Sequence, residues 1–106
     1  MAEDRVLGGV GTKLLFENDR VKVWEMALDP GEESAVHRHE LDYVMVQVGG
    51  DRMAGVSEPD SEGPYPGYIE GEVSRGNVLS ARKGGVETAR NVGKEPFYEI
   101  IVELKD

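Results

Sequence analysis

The chain is 106 residues long, which suits a single domain over 1–106 with one modest core. It has no cysteine, which excludes disulfide scaffolds, thiolate metal sites and cysteine nucleophiles, and it has no apolar run near the ~20 residues of a membrane span. The 21 acidic and 12 basic residues leave a formal charge of -9, a field that repels phosphate backbones and anionic membranes, so neither nucleic acid nor membrane is an expected partner.

Met1, Ala2, Glu3, Asp4 and Arg5 do not make a basic region followed by an apolar stretch. They do not read as a signal peptide, and a cytoplasmic location is expected. Lys13, Leu14, Leu15 and Phe16 form a short apolar strand, ended by a turn at 17–20. Over 20–28, Val21, Val23, Glu25 and Ala27 alternate with Lys22, Trp24, Met26 and Leu28, which predicts a strand with one apolar face. Asp29-Pro30-Gly31-Glu32 is a turn signal. The stretch 41–48 is rich in β-branched and aromatic residues and predicts a central strand, and 51–56 its return strand after Gly49-Gly50. Residues 57–67 hold Pro59, Pro64 and Pro66 and predict a surface loop. Strands are expected at 68–73, 77–82 and 87–91, and an apolar strand over 97–104 closes the chain. No helical period runs as far as ten residues. Short strands with close turns predict an all-β sandwich or barrel.

The two histidines, His37 and His39, stand two residues apart. On a strand that spacing points both imidazoles to one face, which is half of a first-row transition-metal site. The other reading is a solvent-exposed turn that carries His-Arg-His. Nucleophilic catalysis has no support, since neither Ser34 nor Ser80 sits in an elbow motif. Gly84-Gly85 is not followed by a helix and is no phosphate loop.

Two spacings carry a family resemblance. Gly31 is followed after five residues by His37-Arg38-His39, then after three by Tyr43 and after six by Gly50. Gly76 is followed after five residues by Arg82-Lys83-Gly84, then after two by Glu87 and after three by Asn91. Over roughly 20–104 the chain resembles the small single-domain cupins of RmlC-like type, with core motifs at 31–50 and 76–91 and a loop or hairpin extension at about 57–71. The resemblance implies a cupin-type double-stranded β-helix, a jelly-roll barrel that is usually dimeric. It also implies inward ligands for one divalent metal at His37, His39, the position of Tyr43 and the position of Glu87. Tyr43 stands where the family has glutamate, Glu87 where it has histidine, and Arg82 where it has proline.

If Tyr43 keeps that inward direction, Met45 and Gln47 point inward with it, while Val44, Val46 and Val48 face a second sheet or a dimer partner. A neutral phenol is a poor ligand, so Tyr43 suits a hydrogen bond to substrate or metal-bound water, or simply fills the barrel. Glu87 would complete a two-histidine, one-carboxylate set, the composition of facial-triad iron sites. Its other reading is a strand residue paired with Arg82, Lys83 or Arg90. Asp42 is a second carboxylate, which strand alternation points away. An isolated carboxylate inside a barrel needs a cation or donors, and this is the strongest reason to expect a metal.

The expected function is a metal-dependent enzyme with Fe, Mn, Ni or Zn held by His37, His39 and Glu87, with Tyr43 and Gln47 as catalytic residues. It would act on a small oxygen-bearing metabolite, by oxygenase, isomerase or lyase type chemistry. The alternative is a non-catalytic cupin that binds a small ligand or partner through a degenerate site. The extension, with Tyr65 and Tyr68, either arches over the barrel opening or packs on a dimer partner. A homodimer is expected from the apolar surface of 41–48 and 97–104, which exceeds what one small barrel needs.

Overall fold

Side chains that alternate along short β-prone runs can bury one face only by laying sheet against sheet. The computed structural model describes residues 6–63 and 67–105 and does so with nine strands. In chain order these are β1 (Lys13–Glu17), β2 (Val21–Leu28), β3 (His37–Arg38), β4 (Asp42–Gly49), β5 (Arg52–Ser57), β6 (Tyr68–Glu72), β7 (Val78–Ala81), β8 (Val86–Asn91) and β9 (Phe97–Leu104). One antiparallel sheet runs β1-β2-β9-β4-β7 and the other β3-β8-β5-β6. No helix among the described residues is long and apolar enough to cross a membrane. Each expected strand is present with ends shifted by a residue or two, and His37–Arg38 adds a strand of its own against β8. Pro64, Tyr65 and Pro66, part of the expected loop, lie outside the described residues.

Register sets what faces inward. Across the larger sheet, Trp24, Ile101, Met45 and Leu79 form one inner row, and Met26, Glu99 and Gln47 the next. Val10, Met26, Leu28, Tyr43, Phe97 and Ile101 make the buried cluster. Burying side chains of this size stabilises by about 1.5–3 kcal/mol each. The closing strand differs from its uniformly apolar reading. Its inward face is Phe97, Glu99, Ile101 and Glu103, all buried, while Tyr98, Ile100 and Val102 are half-buried on the outside and Leu104 is exposed. The period of two decides this, and it carries two glutamates into the barrel.

Two local devices hold the frame. Gly50 turns β4 into β5 with φ of 121°, and a Cβ there would lie 3.0 Å from Phe97 Cδ1. Only glycine meets both demands. Asn91 is 1% exposed. Its Nδ2 donates to the Leu28 and Glu95 carbonyls at 3.0 and 2.9 Å, and its Oδ1 accepts from Gly93 N–H at 2.9 Å. Asn91 thereby ties the end of β2 to the turn that leads into β9.

Candidate metal centre and ligand cavity

The segment before His37 is fastened to β8. Ser34 N–H donates to the Ala89 carbonyl, and Ala89 N–H donates to Ser34 Oγ at 2.9 Å. β3 then pairs His37 directly opposite Glu87. His39 N–H donates to the Gly85 carbonyl, and Gly84 N–H donates back to the His39 carbonyl, each at 2.8 Å. Gly84 has φ of 116°, and a Cβ on it would lie 3.3 Å from Glu62 Cβ. Both histidines, each 2% exposed, and Glu87 are therefore positioned by one stretch of backbone pairing.

The ligand atoms of His37, His39 and Glu87 all lie within 4.8 Å of one another. Donors about 2.0–2.2 Å from one ion are separated by at most ~4.4 Å, so the set closes on an ion with shifts of a few tenths of an ångström. His39 Nε2 and Glu87 Oε2 are 3.6 Å apart, already within that span. His37 Nδ1 lies 3.0 Å from the Ala35 carbonyl oxygen. A carbonyl only accepts, so Nδ1 carries the proton and Nε2 keeps its lone pair. Burial also lowers the His37 pKa, which keeps the ring neutral as a ligand must be. For Glu87 burial pushes the pKa up, but the neighbouring His39, 3.6 Å away, and His37 carry the carboxyl below its usual range. The residues fit a divalent ion.

Tyr43 is buried, and its ring lies flat on His39 with centroids 3.9 Å apart and an interplanar angle of 12°. It holds the plane of that imidazole, and the two histidine rings meet edge-on at 4.9 Å. Asp42 is exposed and accepts from Lys83 N–H at 2.9 Å, so it stays out of the centre as strand alternation requires. Arg90 pairs with Glu33 and not with Glu87.

A cavity of about 310 Å³ opens between the sheets, with Tyr43 and Glu87 in its wall. That is near the lower end of the range of small-molecule sites. Met45, Gln47, Met53, Phe97 and Glu99 line it further along. Gln47 is four residues from Tyr43, roughly 13 Å along the strand, and so stands apart from the triad. The extension contributes as well: Ile69 to Glu72 line the cavity, while Glu58 and Glu62 N–H groups bond the carbonyls of Val86 and Gly84.

No protein-family model matches the chain, and no curated protein does. Solved structures do. A cupin-domain protein of Bordetella pertussis matches with a TM-score of 0.72 and 24% identity, over 93% of this chain and 100% of that one. An RmlC-like protein of Methanocaldococcus jannaschii with a double-stranded β-helix fold matches with a TM-score of 0.69 and 14% identity, over 87% and 76%. The chain has the cupin fold. Among the similar cupin-fold structures is the DMSP lyase DddQ of Ruegeria pomeroyi, with a TM-score of 0.62 and 15% identity, over 84% of this chain and 40% of that one.

Inside this cupin barrel stand two glutamates that sequence reasoning passed over. Glu103 accepts from Trp24 Nε1 at 2.7 Å. Glu99 lines the cavity, and its burial, with Glu87 nearby, pushes its pKa up to about 8. They share one face of β9 with Phe97 and Ile101, and alternation alone does not say that this face is the inner one.

Proposed function

We propose that this cupin is a metal-dependent enzyme acting on a small oxygen-bearing metabolite, with oxygenase, isomerase or lyase type chemistry. One observation carries the reading: the His37, His39 and Glu87 group adjoins the cavity of about 310 Å³ between the sheets, with Glu87 belonging to both. His37, His39 and Glu87 would hold an Fe, Mn, Ni or Zn ion, which would supply Lewis acidity. The protein's part is positioning. The Ala35 carbonyl fixes the tautomer of His37, Tyr43 fixes the plane of His39, and β3–β8 pairing fixes Glu87. Gln47, with its Oε1 held by Ser74 N–H and Asn77 Nδ2, orients the ligand from the other end of the cavity. The resemblance to a lyase supports the same fold hosting such chemistry, at an identity of 15%.

A second reading, a non-catalytic ligand-binding cupin, is favoured by one feature. His39 Nδ1 is buried with no hydrogen-bond partner, whereas a metal-ligating histidine ordinarily has an acceptor behind it. The two readings part on metal content. Untagged protein is expected to retain near one equivalent of a first-row metal. His37→Ala and His39→Ala are expected to abolish uptake, and Glu87→Ala to weaken it, as water replaces a carboxylate. Uptake below roughly a tenth of an equivalent, the noise of an incomplete ligand set, sinks the enzyme reading.

We also propose that the molecule is a homodimer formed through the outer face of the larger sheet. Phe16, Val23, Val102 and Val44 make one row across it, and Ile100, Val46 and Val78 another.

A further inference from the structure

Beyond the triad, the cavity has a second polar place. β4 and β9 set Gln47 directly opposite Glu99, and both line the cavity. Glu99 is 6% exposed. Its carboxyl has no hydrogen bond or ion pair with any described residue. Gln47 Oε1 accepts from Ser74 N–H at 3.2 Å and from Asn77 Nδ2 at 3.1 Å. A backbone N–H can only donate, so the amide is fixed with its oxygen toward those groups.

The wall around this pair is apolar, with Met45, Met53, Leu79 and Phe97, and its remaining carboxylates are Glu72, Glu87 and Glu70, the last paired with Arg52. No lysine or arginine lines it. A mostly buried carboxyl without a protein partner is costly, and because its oxygens are not sealed off as His39 Nδ1 is, they face the open cavity, where an entering ligand can complete them. An anionic group is repelled by the surrounding carboxylates. A neutral oxygen can accept one hydrogen bond but cancels no charge. An ammonium brings several donors and the compensating charge together.

We propose that the inner end of the cavity is a subsite for the ammonium group of a small aliphatic amine, with Glu99 as its counter-ion and Met45, Met53 and Phe97 enclosing its carbon chain. This names a substrate class for the cavity and rests on its reading as the ligand site, but it does not need the metal to be present. Burial lets Glu99 keep its proton up to about pH 8 in the absence of a partner, and an arriving cation removes the reason to keep it.

The test uses three probes of matched size, butylammonium, 1-butanol and butyrate, titrated at pH 8 into the full chain both metal-loaded and metal-stripped. Calorimetry gives the Kd, and the methyl resonances of Met45 and Met53 report the place. Butylammonium is expected to bind at least about tenfold tighter than 1-butanol, with butyrate weakest, and to shift both methyls; tenfold is the signature of roughly one good charged contact. Glu99→Gln is expected to remove that preference while metal affinity stays as in the wild type. Equal binding of amine and alcohol, a butylammonium Kd weaker than about 10 mM, or unmoved methyls overturns the proposal. So does a loss of metal affinity in Glu99→Gln as large as in Glu87→Gln, which makes Glu99 a metal ligand. Amine preference in a protein that takes up no metal supports the subsite and removes the enzyme reading; metal uptake without amine preference does the reverse.

Discussion

A glutamate inside a small barrel costs several kcal/mol unless something answers its charge, and three stand in this one. Glu103 is answered by the Trp24 indole and Glu87 by His39, while Glu99 is answered by no described residue. Its folded-state pKa of about 8 exceeds the ordinary 4.5 of an unfolded glutamate. As pH rises past 4.5 the unfolded chain releases this proton while the folded chain still holds it, so Glu99 lowers stability progressively until pH passes about 8. Glu99→Gln, which cannot ionise, is expected to match the wild type near pH 4 and to exceed it at pH 8. The gap should widen by at most on the order of 1.4 kcal/mol per pH unit. Parallel thermal melts across that range check it, and an offset independent of pH would show that the proton is not the cause. A variant that gains stability while losing amine preference is the usual exchange at a site kept strained for its ligand.

At the scale of elements, the site depends on how β8 begins and ends. Its start carries Glu87 opposite His37, and its end carries Asn91, which closes three hydrogen bonds between β2 and the turn before β9. Asn91→Ala leaves the Leu28 and Glu95 carbonyls and Gly93 N–H to find other partners. The expected cost is about 2–4 kcal/mol, read as a lower urea midpoint with an unchanged slope. A loss under about 0.5 kcal/mol, the scale of ordinary surface changes, would mean that water replaces the side chain freely. The strands themselves were legible because alternation and turn residues are local signals: Gly50 and Gly84 sit where only a left-handed backbone closes the turn. The inward glutamates of β9 were harder to see, because a strand rich in isoleucine, valine and leucine reads as apolar on both faces until its partners fix which one is inside.

For the whole molecule, the outer face of the larger sheet bears on association. Val44, Val46 and Val48, expected to face a second sheet or a partner, point away from the second sheet, and Val48, Val78, Leu104 and Phe16 are 39–58% exposed. This is the face through which the proposed homodimer would associate. Two copies of charge -9 also repel each other, so added salt should tighten the pair. Sedimentation at micromolar concentration is expected to give twice the 11.6 kDa chain mass, more completely at high salt. Val46→Lys with Val102→Lys should yield a monomer that keeps its metal site. A lone 11.6 kDa species of the wild type would refute the dimer.

The sequence by itself determined the all-β architecture, the positions of the turns and the likeness to the cupin motifs, because periodicity and turn chemistry are written in neighbouring residues. It also placed His37, His39 and Glu87 in one group, since a strand spacing and a motif spacing both point inward. Tertiary structure decided the rest. That Tyr43 lies against His39, that Gln47 faces Glu99 across a cavity of about 310 Å³, and that Arg90 goes to Glu33 all depend on which strands lie side by side. Those pairings join residues as much as 57 positions apart, and the long-range packing that selects them leaves no mark on the local pattern.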